Sequence, residues 1–502
     1  MRYGFVIDQT KCIGCHACTV ACKAEHDIPL GAFRTWVTYT ETGTFPDSRR
    51  HFQVNRCNQC ANAPCVSVCP TGALFRRPDG IVDFDKSKCI GCKACVAACP
   101  YDAIYIDPDD HTAAKCNFCA HRVDRGILPA CVDVCPAKAI VAGDLDDPGS
   151  LAAMLVARTA VTVRKPEQGT QPGVFYIGAD SSTLDPTRAA AGPSYAFASR
   201  PDPTPVTLDA SMRPEEGRRV YDAPHLRVPW GPMVSLYLWT KSLAAGIGGL
   251  GAVLVLAGVW RPDGSASLAA AAAALAFLLA TVGLLVGDLK HPERFYLMFV
   301  RPQWRSWLVK GGIALTAYGV LLAAWLAADL LHRAVPAPVL VVTLAAAALS
   351  AGYSAFLFGQ AEARDFWQSP LVLWHLLAQA TLAGAAYVLV AGGGGATVRD
   401  LATRLLVGAV GLHLAFALAE ALSHHPTREA ALAARALTHG PLGRLFWGGA
   451  AGVGGVLALT ALALFARTGL EPAGVLAATL ALLGLLAYEH TWVQAGQSVP
   501  LS

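Results

Sequence analysis

The sixteen cysteines of this 502-residue chain stand in four groups, all before residue 136. The first group (Cys12, Cys15, Cys18, Cys22) and the third (Cys89, Cys92, Cys95, Cys99) read C-x2-C-x2-C-x3-C. The second (Cys57, Cys60, Cys65, Cys69) and the fourth (Cys116, Cys119, Cys131, Cys135) keep the outer spacings and lengthen the middle gap. Three closely spaced thiolates wrap one iron-sulfur cube while the fourth reaches a second. Sixteen thiolates thus supply four 4Fe-4S clusters with none left over. Spacing alone leaves the pairing between groups open.

Disulfide frameworks belong to short secreted domains, and C-x2-C pairs repeated four times in a long chain do not fit one. Zinc takes four ligands per ion, usually as two separated pairs, whereas these cysteines come in runs of four. Pro70, Pro100 and Pro136 directly follow the last cysteine of groups two, three and four, as in the bacterial ferredoxin run; only Cys22 is followed by Lys23 instead.

Elements must hold such clusters in place, and the composition changes class after residue 225. From Trp230 to His490 apolar stretches rich in Ala, Leu, Val and Gly follow one another. Each is long enough to cross a hydrocarbon layer of roughly 30 Å as a helix of roughly 20 residues. Eight spans are expected, near 233–259, 267–287, 307–331, 338–360, 370–391, 401–423, 445–466 and 471–490. One such stretch could be a buried soluble helix; eight in series with so few charges cannot all be core, so the sequence reads as a multi-pass membrane protein. The stretch of about 140–225 is rich in Pro, Gly, Ser, Thr and Asp, with short strand-like runs at Val161–Arg164 and Val174–Ile177. It is expected to be an irregular connection without a large core of its own. Residues 1–10 lack a long apolar run, so no signal peptide of the usual kind is expected.

An even number of spans puts both ends of the bundle on the cluster side. Loops there carry more Lys and Arg (Arg294, Arg301, Arg305, Lys310, Arg364 and Arg428 among them) than the opposite loops. The positive-inside rule makes that side cytoplasmic. A loop that docks a protein partner is basic for a different reason, and a partner with its own export signal could carry the domain across.

Ionisable residues in or beside the spans are costly in lipid unless a cavity or partner receives them, and here they crowd toward the cluster side. Lys241, Asp288, Glu362, Asp365, His375, Glu420 and Glu489 share that level with Tyr237, Trp239, Trp304, Trp307, Trp367 and Trp374. For any one aromatic an interfacial belt is the simpler reading; Lys241 lies about two turns deep and is harder to explain so. A quinone accounts for the set, with its tail in lipid, its ring in a flat apolar slot and its oxygens needing hydrogen-bond donors and a proton source. Candidate residues are His225, Tyr237, Lys241, Asp288, Arg294, Trp304, Arg305, Glu362, Asp365, His375 and Glu420. No haem is expected: His375 is shallow in span five and His413 central in span six, about 10 Å apart in depth by helical rise.

The first 180 residues resemble the four-cluster ferredoxin subunits of the dimethyl sulfoxide reductase and polysulfide reductase families. The resemblance lies in Cys57-Asn58-Gln59-Cys60 through Cys69-Pro70-Thr71-Gly72-Ala73, and in Cys116-Asn117-Phe118-Cys119 through Cys131 to Cys135-Pro136. The rest resembles the eight-helix quinone-binding anchor of polysulfide reductase in Asp288-Leu289-Lys290-His291-Pro292-Glu293-Arg294-Phe295, Pro302-Gln303-Trp304-Arg305-Ser306-Trp307-Leu308 and Asp365-Phe366-Trp367-Gln368-Ser369-Pro370. The implied fold is two-part. An N-terminal α+β bacterial-ferredoxin-like domain with four clusters (1–145) and a connecting segment (146–225) precede an all-α eight-helix transmembrane bundle (226–502).

The resemblance further implies that Cys22 serves the cluster of Cys116, Cys119 and Cys131, that Cys135 returns to the first group, and that Cys69 and Cys99 exchange likewise. It implies a large molybdopterin catalytic subunit carrying molybdenum or tungsten, the quinone pool (menaquinone or ubiquinone) and the lipid bilayer of a prokaryotic inner membrane as partners, and no nucleic acid. Substrate chemistry is assigned to that separate subunit, because neither half carries a nucleotide-binding glycine fingerprint or a catalytic constellation of its own. The alternative is a subunit of a redox-driven ion-translocating respiratory complex, with Lys241, Asp288, His375 and Glu420 on a conduction path. Against it, the distal half of the bundle offers mainly Asp329 and His413.

Overall fold

The computed structural model describes residues 1–191, 217–223, 229–391 and 395–502. The N-terminal part is built on two four-stranded sheets. In the first, β1 (Tyr3–Asp8) lies between β8 (Ile140–Asp144), antiparallel to it, and β10 (Val174–Ile177), parallel to it, with β9 (Val161–Thr162) at the edge. In the second, β2 (Thr35–Thr42) pairs antiparallel with β3 (Arg49–Arg56) and with β12 (Gly217–Tyr221), whose outer neighbour is β11 (Ala189–Ala191). Two short hairpins, β4–β5 (Leu74–Arg76, Val82–Phe84) and β6–β7 (Ile104–Ile106, Ala113–Lys115), flank the middle cysteine groups.

The sheets correct one expectation. The strand-like runs at 161 and 174 do form strands, but the described part of the 146–225 segment is no loose connection: it supplies β9 to β12 to the sheets of the first domain. A Pro- and Gly-rich composition reports turns between strands as readily as it reports a linker. His225 lies outside the described residues.

Eight helices are long and apolar enough to cross a membrane: Pro232–Leu256, Ser265–Gly287, Trp307–Leu330, Ala337–Gly359, Val372–Ala391, Gly395–Leu422, Gly440–Thr468 and Glu471–Gly496, spans one to eight below. Spans one and five are the most enclosed by protein and touch at Gly246 and Gly384, where a side chain on either glycine would run into the other helix's backbone. Small residues let helices approach closely in lipid, where packing replaces the hydrophobic effect as the drive to associate. Span seven is wound as a π-helix over Leu445–Leu457, a stretch containing five glycines, and its Gly454 abuts Gly484 of span eight.

The two halves share one core. Tyr101, Ile104 and the cysteines of the second and third groups pack continuously with Trp230, Tyr237, Phe358, Trp367 and Trp492. Trp230 stacks on Trp367 at 5.5 Å, and its indole N–H donates to Cys92 O at 3.2 Å. Trp367 is therefore buried between the halves, not in an interfacial belt; Trp304 and Trp374, more than half exposed, fit the belt reading. Polar ties complete the seam: Arg294 donates to Lys86 O and Cys89 O, Gln168 to Asp365, and Arg164 to Leu501 O.

Candidate functional site

The first C-x2-C step of each group turns through a left-handed residue just before its second cysteine: Gly14, Gln59, Gly91 and Phe118, with φ of 69°, 47°, 68° and 62°. Glycine adopts this freely, whereas a side chain costs about 1 kcal/mol or more. Tertiary contacts repay it at the other two positions. Phe118 packs on Phe5 at 4.1 Å, and Gln59 donates to Cys116 O at 3.0 Å while accepting from Val82 N at 2.8 Å. The turn points successive sulfurs to one side.

Folding then gathers cysteines from different groups. Cys12, Cys15, Cys18 and Cys135 line one cavity of about 340 Å³; Cys57, Cys60, Cys65 and Cys99 a second of about 310 Å³; Cys69, Cys89, Cys92 and Cys95 a third of about 410 Å³. Cys22 stands among Cys116, Cys119 and Cys131. This is the exchange of last cysteines that the resemblance implies. Among the described residues no three Cys, His, Asp or Glu side chains close on a single ion's position. Sulfurs spread around a cavity suit a cube in which each thiolate holds a different iron. Backbone amides of Ala113 and Ala139 point at Cys89 and Cys135 Sγ, both at 3.3 Å. Burial pushes the Cys18 thiol up to about 11 and those of Cys92 and Cys119 to about 12, so at neutral pH only metal would displace their protons.

Neighbouring sulfurs order the four groups. Cys18 faces Cys131, Cys116 faces Cys57, and Cys65 faces Cys95. The row starts at the surface, where Cys15 is exposed, and ends at Cys92 against the bundle. There it meets a cleft of about 730 Å³ lined by Cys92, Trp230, Tyr237, Leu285, Asp288, Phe295, Met298, Leu315, Tyr353 and Leu357. The walls are apolar apart from the Asp288 carboxylate and two tyrosines. Asp288 pairs at 2.9 Å with Lys93, itself buried and next to Cys92. Behind the cleft Lys241 is fully buried, donates to Ala351 O and Ser354 Oγ at 2.9 and 2.7 Å, and faces the Tyr353 ring at 5.1 Å.

A second polar group occupies the other half of the bundle. His375, Gln379, Glu420, Tyr488 and Glu489 line a smaller cavity of about 260 Å³. Tyr488 O–H donates to Glu420, and His375 Nε2 lies 2.8 Å from His413 Nδ1. That contact overturns the 10 Å depth difference estimated for the two histidines. Span six extends to Leu422 and its helix end stands beyond that of span five, so counting residues from each end misplaces them relative to one another.

The expected single slot thus divides. Tyr237 and Asp288 line the cleft and Lys241 backs it, whereas His375 and Glu420 line the second cavity. Arg294 and Asp365 fasten the halves together. Trp304 and Arg305 are exposed outside the cleft, and Glu362 is half-buried away from it, its carboxyl held above the usual range by burial. Sequence reasoning missed Lys93, Tyr353 and Tyr488. Lys93 carried a signal, a cation placed directly after a cluster cysteine; the two tyrosines carried none.

Residues 11–74 and 49–145 match models of the 4Fe-4S dicluster domain, and residues 223–500 match that of polysulphide reductase, NrfD. A tetrathionate reductase subunit of Salmonella typhimurium is 46% identical over 197 residues, covering 38% of this protein and 79% of that one. A polysulfide reductase chain of Wolinella succinogenes is 43% identical over 179 residues (35% and 94%), and the arsenate respiratory reductase iron-sulfur subunit ArrB of a Shewanella species 37% over 225 (35% and 96%). With its membrane half matched throughout and its first half aligned to such reductase subunits, this protein belongs to the NrfD polysulphide reductase family, fused to a 4Fe-4S dicluster module.

Proposed function

We propose that this protein is the electron-transfer and membrane-anchor subunit of a molybdopterin oxidoreductase complex, with four 4Fe-4S clusters carrying electrons between a separate catalytic subunit and quinone or quinol in the Asp288 cleft. One observation carries the reading: Cys92, a member of the innermost cysteine group, forms a wall of the cleft at the top of the bundle. Residues able to hold the clusters and residues able to bind a flat apolar ring therefore share a surface.

When bound, the clusters supply one-electron steps and the quinone a two-electron, two-proton step. The protein's own residues do the rest. Trp230, Phe295, Leu357 and their neighbours exclude water. Asp288, kept in place by Lys93, holds or releases a proton at its carboxylate. Tyr237 and Tyr353 offer hydroxyls inside the slot. At the outer end Cys15 is exposed, and Ile13, Val20 and Leu30 of the same N-terminal segment are each more than half exposed, apolar side chains suited to contact with a protein partner.

The test is isolation from the native membrane with whatever copurifies, under anoxic conditions, followed by assay of iron, molybdenum or tungsten, and quinone. Iron for four cubes, a pterin-bound metal on a copurifying large subunit, and quinone displaced by a ring analogue support the reading; metal-free material overturns it.

The His375–His413–Glu420–Tyr488 group favours a second reading, a redox-driven ion-translocating complex, because the cleft does not use it. Reconstituted vesicles that acidify or alkalinise beyond the protons of quinone chemistry would support it.

A further inference from the structure

Among the described residues several buried cations of the first domain form no ion pair, and two of them, Arg56 and Lys115, bear on cysteine sulfurs. Arg56 and Lys115 are both 0% exposed, and among the described residues no carboxylate lies within ion-pair distance of either. An isolated buried charge is costly to keep, and an anionic group beside it offsets that cost. Arg56 donates through Nη1 to Cys131 Sγ at 3.2 Å and through Nη2 to Thr35 Oγ1 at 3.1 Å, with its guanidinium 4.2 Å above the Phe5 ring. The charges nearest to it are those of Cys131, Cys116 and Cys18, on two successive cysteine groups. Lys115 donates to Val82 O and Cys116 O, and its charge bears on Cys57 of the next group. The two cations therefore stand in the two successive gaps on either side of the group of Cys22, Cys116, Cys119 and Cys131.

We propose that Arg56 and Lys115 are potential-setting residues of the electron path: fixed positive charges that favour the reduced, more negative state of the clusters beside them, Arg56 acting on the one at Cys131 and Lys115 on the one at Cys57. A cube held by four thiolates gains one further negative charge when it takes up an electron. A buried cation donating to a ligand sulfur stabilises that added charge without itself gaining or losing a proton. The cations serve as positioning residues between relays, not as groups that react. The inference rests on the cluster reading above and adds which side chains tune the middle of the row.

Redox titration of the whole complex in its native membrane, followed by low-temperature electron paramagnetic resonance, tests it. In Arg56→Met one cluster signal shifts to lower potential while the most remote signals stay, and quinone-linked turnover slows with it; Arg56→Lys, which keeps the charge, stays near the wild-type potential. Lys115→Met shifts a different signal, and Lys115→Arg does not. An Arg56→Met protein that keeps its iron and all wild-type potentials overturns the inference. Should Arg56→Met lose a cluster, Arg56→Lys decides: a retained cluster at the wild-type potential supports the charge role, and its loss or lowering overturns it. A wild-type complex without four clusters fails the functional reading itself, an outcome seen before any variant is compared.

Discussion

Asp288 is the residue on which the proposed membrane end of the electron path turns, because it is the one carboxylate among the described residues lining the cleft and it is paired with a lysine adjacent to Cys92. Asp288→Asn keeps the size and removes the proton site. The expected outcome is a fall in quinol-linked rate on the order of 10²-fold, with iron content and cluster reduction by dithionite unchanged; steady-state assay of washed membranes checks it. Asp85 accepts from Ser87 N at 3.0 Å at the start of the turn leading to Cys89. Hydrogen bonding from Lys88 and Ser87 pulls its pKa down to about 2. A depressed folded-state value means the contribution to stability is present above the ordinary pKa near 3.9 and is lost as pH falls through about 2. Asp85→Asn keeps a capping side chain but loses the Lys88 ion pair, so it should cost about 0.2–1 kcal/mol at neutral pH and flatten the acid loss between about pH 4 and 2, read by release of iron during acid titration.

Among the elements, spans one and five matter most because they are the most enclosed, and span one lines both cavities. Their closest approach, at Gly246 and Gly384, leaves no room for a side chain. Gly384→Val should push them apart at a cost of about 1–3 kcal/mol. It should lower the thermal midpoint in detergent and weaken quinone binding, while the cluster spectrum survives. The C-x2-C turns obey the same logic on a smaller scale. Gly91 combines a positive φ with backbone contact to Lys290, so one glycine both shapes a cysteine loop and seats it on the bundle.

Taken whole, the molecule is a multi-pass protein of the prokaryotic inner membrane with its redox domain sealed onto one end by a continuous apolar core. The two parts should nevertheless differ in what holds them. The cysteine domain is folded around cavities lined by thiols and apolar side chains and should depend on metal to fill them, whereas the spans are held by lipid and by each other. Stripping iron with a chelator under mild denaturant should therefore expose residues 1–191 to protease while helical circular dichroism from the spans persists.

Cysteine spacing and apolar run length were legible in the sequence itself because both are local. A C-x2-C turn binds through neighbours two and three residues away, and a membrane helix needs only enough consecutive apolar residues. Both parts of the fold, the eight spans and the four cysteine groups follow from such patterns. What tertiary structure alone decided are the relations between distant segments: Asp288 meeting Lys93, His375 meeting His413, and Arg56 reaching Cys131. The strands drawn from 146–221 into the first domain's sheets belong here too, since pairing partners far apart in sequence leave no periodic trace. Depth along a helix can be counted from sequence, but the tilt and offset of one helix against another cannot, and that offset put two histidines in contact and divided one expected pocket into two.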